Sequence, residues 1–144
     1  MTKNKSSIKT AEDIEILRAG GKKLALILAE LTKATKAGVT TGELDTLARE
    51  LIAREGGEPA FLNYRPVGAR TPFPAALCVS VNDEVVHGIP GDRRLEEGDI
   101  VGLDLGLKYQ GLYTDMAATV PVGAITGETA KLLEVTKVAL EAGI

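Results

Sequence analysis

The stretch "GDIVGLDLGLKYQGLYTDMAATV", residues 98–120, sets two apolar strands around a short polar turn and places an aspartate in each. Side chains alternate along a strand, so Val101, Leu103, Leu105 and Leu107 share one face and Gly102, Asp104 and Gly106 the other. The first face is core. On the second, the glycines flanking Asp104 leave space above the sheet where a ligand or an ion can approach. With Tyr109-Gln110 as a two-residue turn, Lys108 pairs with Gly111 and Asp104 lies directly opposite Asp115. A bulge at Gly111 would shift the pairing by one and turn Asp115 to the far face. Convergence is the favoured reading, because facing like charges destabilise a sheet unless something positive sits between them. A divalent cation is the simplest such species. The competing reading makes Asp104 a partner of an arginine or of backbone donors and Asp115 a surface residue beside the turn.

Upstream, Thr10 and Asp13 form an N-cap arrangement, and Ile14, Leu17, Gly21, Leu24, Leu28 and Leu31 recur at helical spacing. This predicts a long amphipathic helix to about Ala37, stopped by Gly38. Glycine inside a helix costs roughly 1 kcal/mol relative to alanine, so the Gly20-Gly21 pair implies close packing against another element. Thr40 and Glu43 form a capping box for a second helix with Leu44, Leu47, Leu51 and Ile52 as its apolar stripe and Gly56-Gly57 as its end. Pro59, Pro66, Pro72 and Pro74 exclude helix between residues 58 and 75, which read as an ordered surface loop. "LCVSVN" (77–82) is a strand, and "DEVVHGIP" (83–90) a second short strand that ends at His87. Thr126 caps a last helix that runs to Ile144. "EAGI" at 141–144 resembles "KAGV" at 36–39, a hint that a second copy of the helix pair begins there. Helix, helix, strands and helix in that order give an α+β fold.

The 144 residues, 44% hydrophobic, suit one soluble domain with a sizeable core, 10–144, behind a mobile N-terminal tail at 1–9. A net charge of −3 with no basic face argues against a nucleic acid or membrane partner. The N-terminus carries no apolar signal segment, and no apolar run nears the ~20 residues that span a bilayer, so a cytoplasmic address is expected. Cys78 is the only cysteine and forms no internal disulfide, as suits a reducing compartment.

His87 is the only histidine, and Gly88, Pro90 and Gly91 turn the chain right after it. It fits a metal ligand, a hydrogen-bonding partner of a substrate amide, or a structural histidine. With one His and one Cys, neither a zinc finger nor an all-histidine centre can be built.

At these residues the chain resembles the type I methionine aminopeptidases, members of peptidase family M24. The resemblance rests on "VNDEVVHGIPGDRRLEEGDIVGLDLGLKYQGLYTDMAATVPVG" (81–123) and reaches back to Ile8. It implies the first half of a pita-bread fold, with two N-terminal helices packed on an antiparallel sheet. It implies hydrolytic removal of the N-terminal methionine from nascent polypeptides with a small second residue, with two divalent metal ions (Co, Mn, Fe or Zn) as cofactors. Asp104 would be bidentate on one ion and Asp115 would bridge both, while His87 would hydrogen-bond the substrate beside the scissile amide. Phe73 and Cys78 match the family's methionine pocket, Tyr64 matches it more weakly, and core packing is the plain alternative for Phe73 and Cys78. "RPVGARTP" (65–72) is longer than the family's loop, which leaves the pocket rim open. The family's remaining ligands, one histidine and two glutamates, belong to the second half of its fold. The expectation is therefore a fragment with weak or partial metal binding and little activity alone, completed by a C-terminal half or by a second copy of itself. A non-catalytic pita-bread-like binding or assembly module is the alternative function.

Overall fold

The computed structural model describes residues 8–144, and residues 1–7 of the expected tail lie outside the described residues. Two helices come first. Helix α1, Ala11–Ala34, begins at the Thr10 cap, where Thr10 Oγ1 accepts from Asp13 N and the Asp13 carboxylate accepts from Thr10 N. It ends three residues before the predicted Ala37. Thr35 leaves the helix with its own N–H and hydroxyl both donated to the Leu31 carbonyl, which closes the last turn. Gly38, with φ +90, serves the link instead, donating to the Leu95 carbonyl while Leu95 N donates to Val39 O. Helix α2, Thr41–Arg54, opens on the predicted box of Thr40 and Glu43. Its chain reverses through Gly56 at φ +73.

Strand β1 is only Glu58–Pro59, a two-residue exception to the expected loop at 58–75. Strand β2 is Leu77–Val81, β3 is Ile100–Tyr109 and β4 is Leu112–Pro121. All pair antiparallel, with β3 central: β4 lies along one edge, and β2 and then β1 lie along the other. Helix α3, Gly127–Gly143, starts at Thr126, whose hydroxyl accepts from Thr129 N.

The predicted short strand at 83–90 does not form. Asn82 turns the chain at φ +59, and the Glu84 carboxylate accepts from Val81 N, so the segment leaves the sheet at once. Val85 and Val86 consequently point to solvent, 90% and 64% exposed.

The core lies between the two long helices and one face of the sheet. Leu24, Ile27, Leu31, Leu44 and Ile52 meet Val79, Val101, Leu103, Leu105 and Leu107, all essentially without solvent contact. The odd positions of β3 are thus core, as alternation requires. Gly20 packs beside Tyr109 and Thr114, whereas Gly21 faces open space, so close packing explains only the first of the pair. Helix α3 buries none of its residues and exposes Leu132, Val135, Val138 and Leu140. Among the described residues no helix is long and apolar enough to cross a membrane.

Candidate metal centre

Gln110 and Gly111, at φ +48 and +82, are the central residues of the β3–β4 hairpin, a turn whose twist suits the flanking strands. The turn therefore sits one residue later than Tyr109-Gln110. Tyr109 pairs with Leu112, which sets Gly106 opposite Asp115 and Asp104 opposite Ala117. Asp104 and Asp115 are then diagonal neighbours rather than a directly opposed pair. They nonetheless share a face, because sliding the register by two residues along one strand preserves alternation. No bulge interrupts the hairpin, and the two carboxylates converge.

Burial and then the neighbouring Asp115 charge hold the Asp104 carboxyl above the usual carboxylate range, and a hydrogen bond to Asp115 adds to this. His87 is near enough to offset part of that effect. None of the ion pairs among the described residues involves either aspartate. The competing sequence reading, an arginine held by Asp104, has no support in these contacts. Two hard oxygen donors converging on one face, with neither in an ion pair among the described residues, fit a divalent cation. Two are too few for a complete site: among the described residues no three His, Cys, Asp or Glu side chains cluster so as to hold a metal ion.

Cys78 on β2 pairs directly with Asp104, so its thiol shares the carboxylate face. It is 4% exposed, and burial, followed by the charges of Asp104, Asp115 and Asp45, pushes its pKa up to about 12. The thiol is protonated at neutral pH and acts as a small apolar surface rather than a nucleophile.

His87 stands in a loop, not at a strand end, with a left-handed backbone at φ +59. The residue after it fixes its place. Gly88 N donates to Ser80 Oγ at 3.1 Å, and Gly88 O accepts from Val79 N at 2.9 Å, pinning the loop along the outer edge of β2. A Cβ at Gly88 would lie 2.1 Å from the Val79 carbonyl oxygen, so only glycine permits this approach.

The other wall is aromatic. The Phe61 and Phe73 rings meet edge to face, 6.5 Å between centroids at 86°. Space over Gly106 is not free for a ligand, as alternation alone implied: a Cβ there would lie 2.8 Å from Ala60 Cβ and 2.9 Å from the Phe61 ring. The open ground lies toward Gly102, whose nearest neighbour is Ser80. Tyr64 sits farther out, 62% exposed, with its carbonyl accepting from Phe73 N. Phe61 escaped the sequence reading. Its signal was that it is one of only two phenylalanines in the chain, and the two are in contact.

The profile of metallopeptidase family M24 matches residues 15–144, and the chain belongs to that family. The relatives it matches are methionine aminopeptidases. Methionine aminopeptidase 1 of Bacillus subtilis is 43% identical over 136 residues, covering 94% of this chain and 52% of that protein. The methionine aminopeptidase of Thermotoga maritima, a solved structure, superposes with a TM-score of 0.88 at 40% identity over 95% of this chain and 53% of that one. Prolidase from Pyrococcus furiosus, at 22% identity and a TM-score of 0.74 over 89% of this chain, shares the fold. The architecture is that of the pita-bread enzymes, and the chain spans about half the length of the curated relatives it matches.

Proposed function

We propose that this chain carries one wall of a methionine aminopeptidase site and acts in the hydrolytic removal of N-terminal methionine from newly made polypeptides. The observation that carries the reading is the convergence of Asp104 and Asp115 on one face, with no ion pair to either among the described residues. These two carboxylates would hold the divalent metal. The metal supplies Lewis acidity that activates water and stabilises negative charge growing on the carbonyl oxygen. His87, held by Gly88 at the edge of β2, donates a hydrogen bond to the substrate beside the scissile amide. Phe73, Cys78 and Phe61 offer the apolar surface for the methionine side chain, with Tyr64 at the rim, and cysteine and aromatic groups suit a thioether.

Two carboxylates hold a cation weakly, since affinity grows with ligand count and preorganisation. The 144-residue chain alone is accordingly expected to turn over little or no substrate, and to need a partner that supplies further ligands: a C-terminal half or, less simply, a second copy. The test is cleavage of a Met-Ala-Ser peptide by the purified chain with Mn or Co, with and without chelator. Chelator-sensitive turnover by the chain alone would overturn the expected inactivity. Failure of the chain mixed with the second half of a relative such as the Bacillus subtilis enzyme, where Mn binding is also lost, would overturn the assignment itself.

A further inference from the structure

Helix α2 contributes no side chain to the candidate site, yet it ties down both of its walls. At its N-terminus Thr41 Oγ1 accepts from Gly91 N at 2.9 Å and donates to Gly91 O at 3.1 Å, Gly42 N donates to the same carbonyl, and Thr41 N donates to Arg93 O. These bonds hold the far end of the loop that carries His87. One turn later, Asp45 is 9% exposed and accepts three hydrogen bonds: from Ala76 N at 2.7 Å, Leu77 N at 3.0 Å and Arg49 Nε at 2.8 Å. Arg49 Nη2 also donates to Pro74 O at 2.9 Å.

The bonded residues are 74, 76 and 77, the segment between Phe73 and Cys78. This short piece has no helix of its own, and β2 pairing begins only at Leu77. Pro74 opens it, so its backbone lacks a ladder donor there. The buried carboxylate takes the N–H groups of Ala76 and Leu77 and the guanidinium takes the Pro74 carbonyl, so ahead of β2 the segment is tied by a side-chain pair.

We propose that Asp45 and Arg49 are positioning residues for the site: together they set where Phe73 and Cys78 stand against Asp104. The pair touches neither the metal donors nor the proposed substrate, and acts only through the 74–77 backbone. That Phe73 and Cys78 form a substrate wall rests on the proposed function, but their placement by the clamp is tested without turnover.

The experiment reads iodoacetamide labelling of Cys78 in the intact chain, alongside urea unfolding of the same protein. Because Cys78 is buried, labelling reports opening of its surroundings. Arg49→Met is the first variant, since Arg49 is partly exposed and its loss leaves the Asp45 charge beside the thiol, so faster reaction reports opening rather than ionisation. Asp45→Asn is the second. Thr41→Val, which loosens the other wall, is the control. The expected result is labelling at least tenfold faster in both clamp variants than their change in global stability accounts for, with no such excess in Thr41→Val. If labelling in Arg49→Met follows global unfolding as it does in Thr41→Val, the clamp is only structural and the proposal falls. Should Asp45→Asn fail to fold, the Arg49→Met comparison decides alone.

Discussion

Asp104 is held above its ordinary range by burial and by Asp115, so the metal-free fold binds its proton more tightly than the unfolded chain does. The sign follows: the stability this group contributes is complete below the ordinary carboxylate value and is lost as pH rises through the raised one. Asp104→Asn should thus raise the thermal midpoint of the metal-free chain by a few degrees at neutral pH, an effect limited by solvent on the open face, and leave it unchanged in acid. The same substitution should abolish stabilisation by added Mn. Melting curves across pH, with and without Mn, check both, and retained Mn stabilisation would remove Asp104 from the metal site. Gly88 makes the matching case for a backbone. Gly88→Ala drives a Cβ into the Val79 carbonyl and should cost about 2 kcal/mol in urea unfolding, as overpacked sites do. A cost near zero would mean that the loop bearing His87 is not pinned there.

The elements follow local rules closely, and their ends follow less local ones. Both N-terminal capping boxes are legible because four adjacent residues complete them. Helix α1 ends short of the sequence expectation because Thr35, unremarkable in sequence, turns its hydroxyl back onto Leu31 while Gly38 is recruited by Leu95, more than fifty residues away. The hairpin shows the same limit: its two strands were clear, but the turn belongs to Gln110-Gly111, since both take positive φ. Glutamine is a poor residue there and asparagine a good one, so Gln110→Asn should stabilise the fold by about 0.5 kcal/mol without shifting the register. Denaturation curves measure it, and destabilisation would contradict the turn assignment. The segment at 83–90 read as a strand from its valines, which lost to a turn at Asn82 and a cap from Glu84. Asp45 was visible in principle: with Ala48 and Ile52 it occupies the buried stripe of α2, where an unpaired carboxylate would be out of place.

At the scale of the whole molecule, one layer of helices covers one face of the sheet, and the carboxylate face, the outer edge of β4 and helix α3 lack such cover among the described residues. A helix that buries nothing adds little to folding. A chain ending at residue 126 should therefore unfold within about 1 kcal/mol of the 144-residue chain, and should show weaker binding of apolar dyes as Leu132, Val135 and Leu140 are lost. A fall of several kcal/mol in urea unfolding would mean that α3 packs on the core in solution. The relatives that the chain matches are about twice its length.

The sequence by itself determined the α+β class, the two capped helices and the long hairpin, because capping and strand alternation are set by residues a few positions apart; it favoured convergence of Asp104 with Asp115 but left a bulge at Gly111 open. The motifs around His87 and the two aspartates also sufficed to point to the aminopeptidase family. Only the tertiary structure decided the diagonal register of the aspartates, the Phe61 ring that closes the space over Gly106, the loop that presents His87, and the Asp45–Arg49 tie beneath Phe73 and Cys78. Each of these depends on groups far apart in the chain meeting at one place, and a pairing of that kind has no local periodicity to announce it.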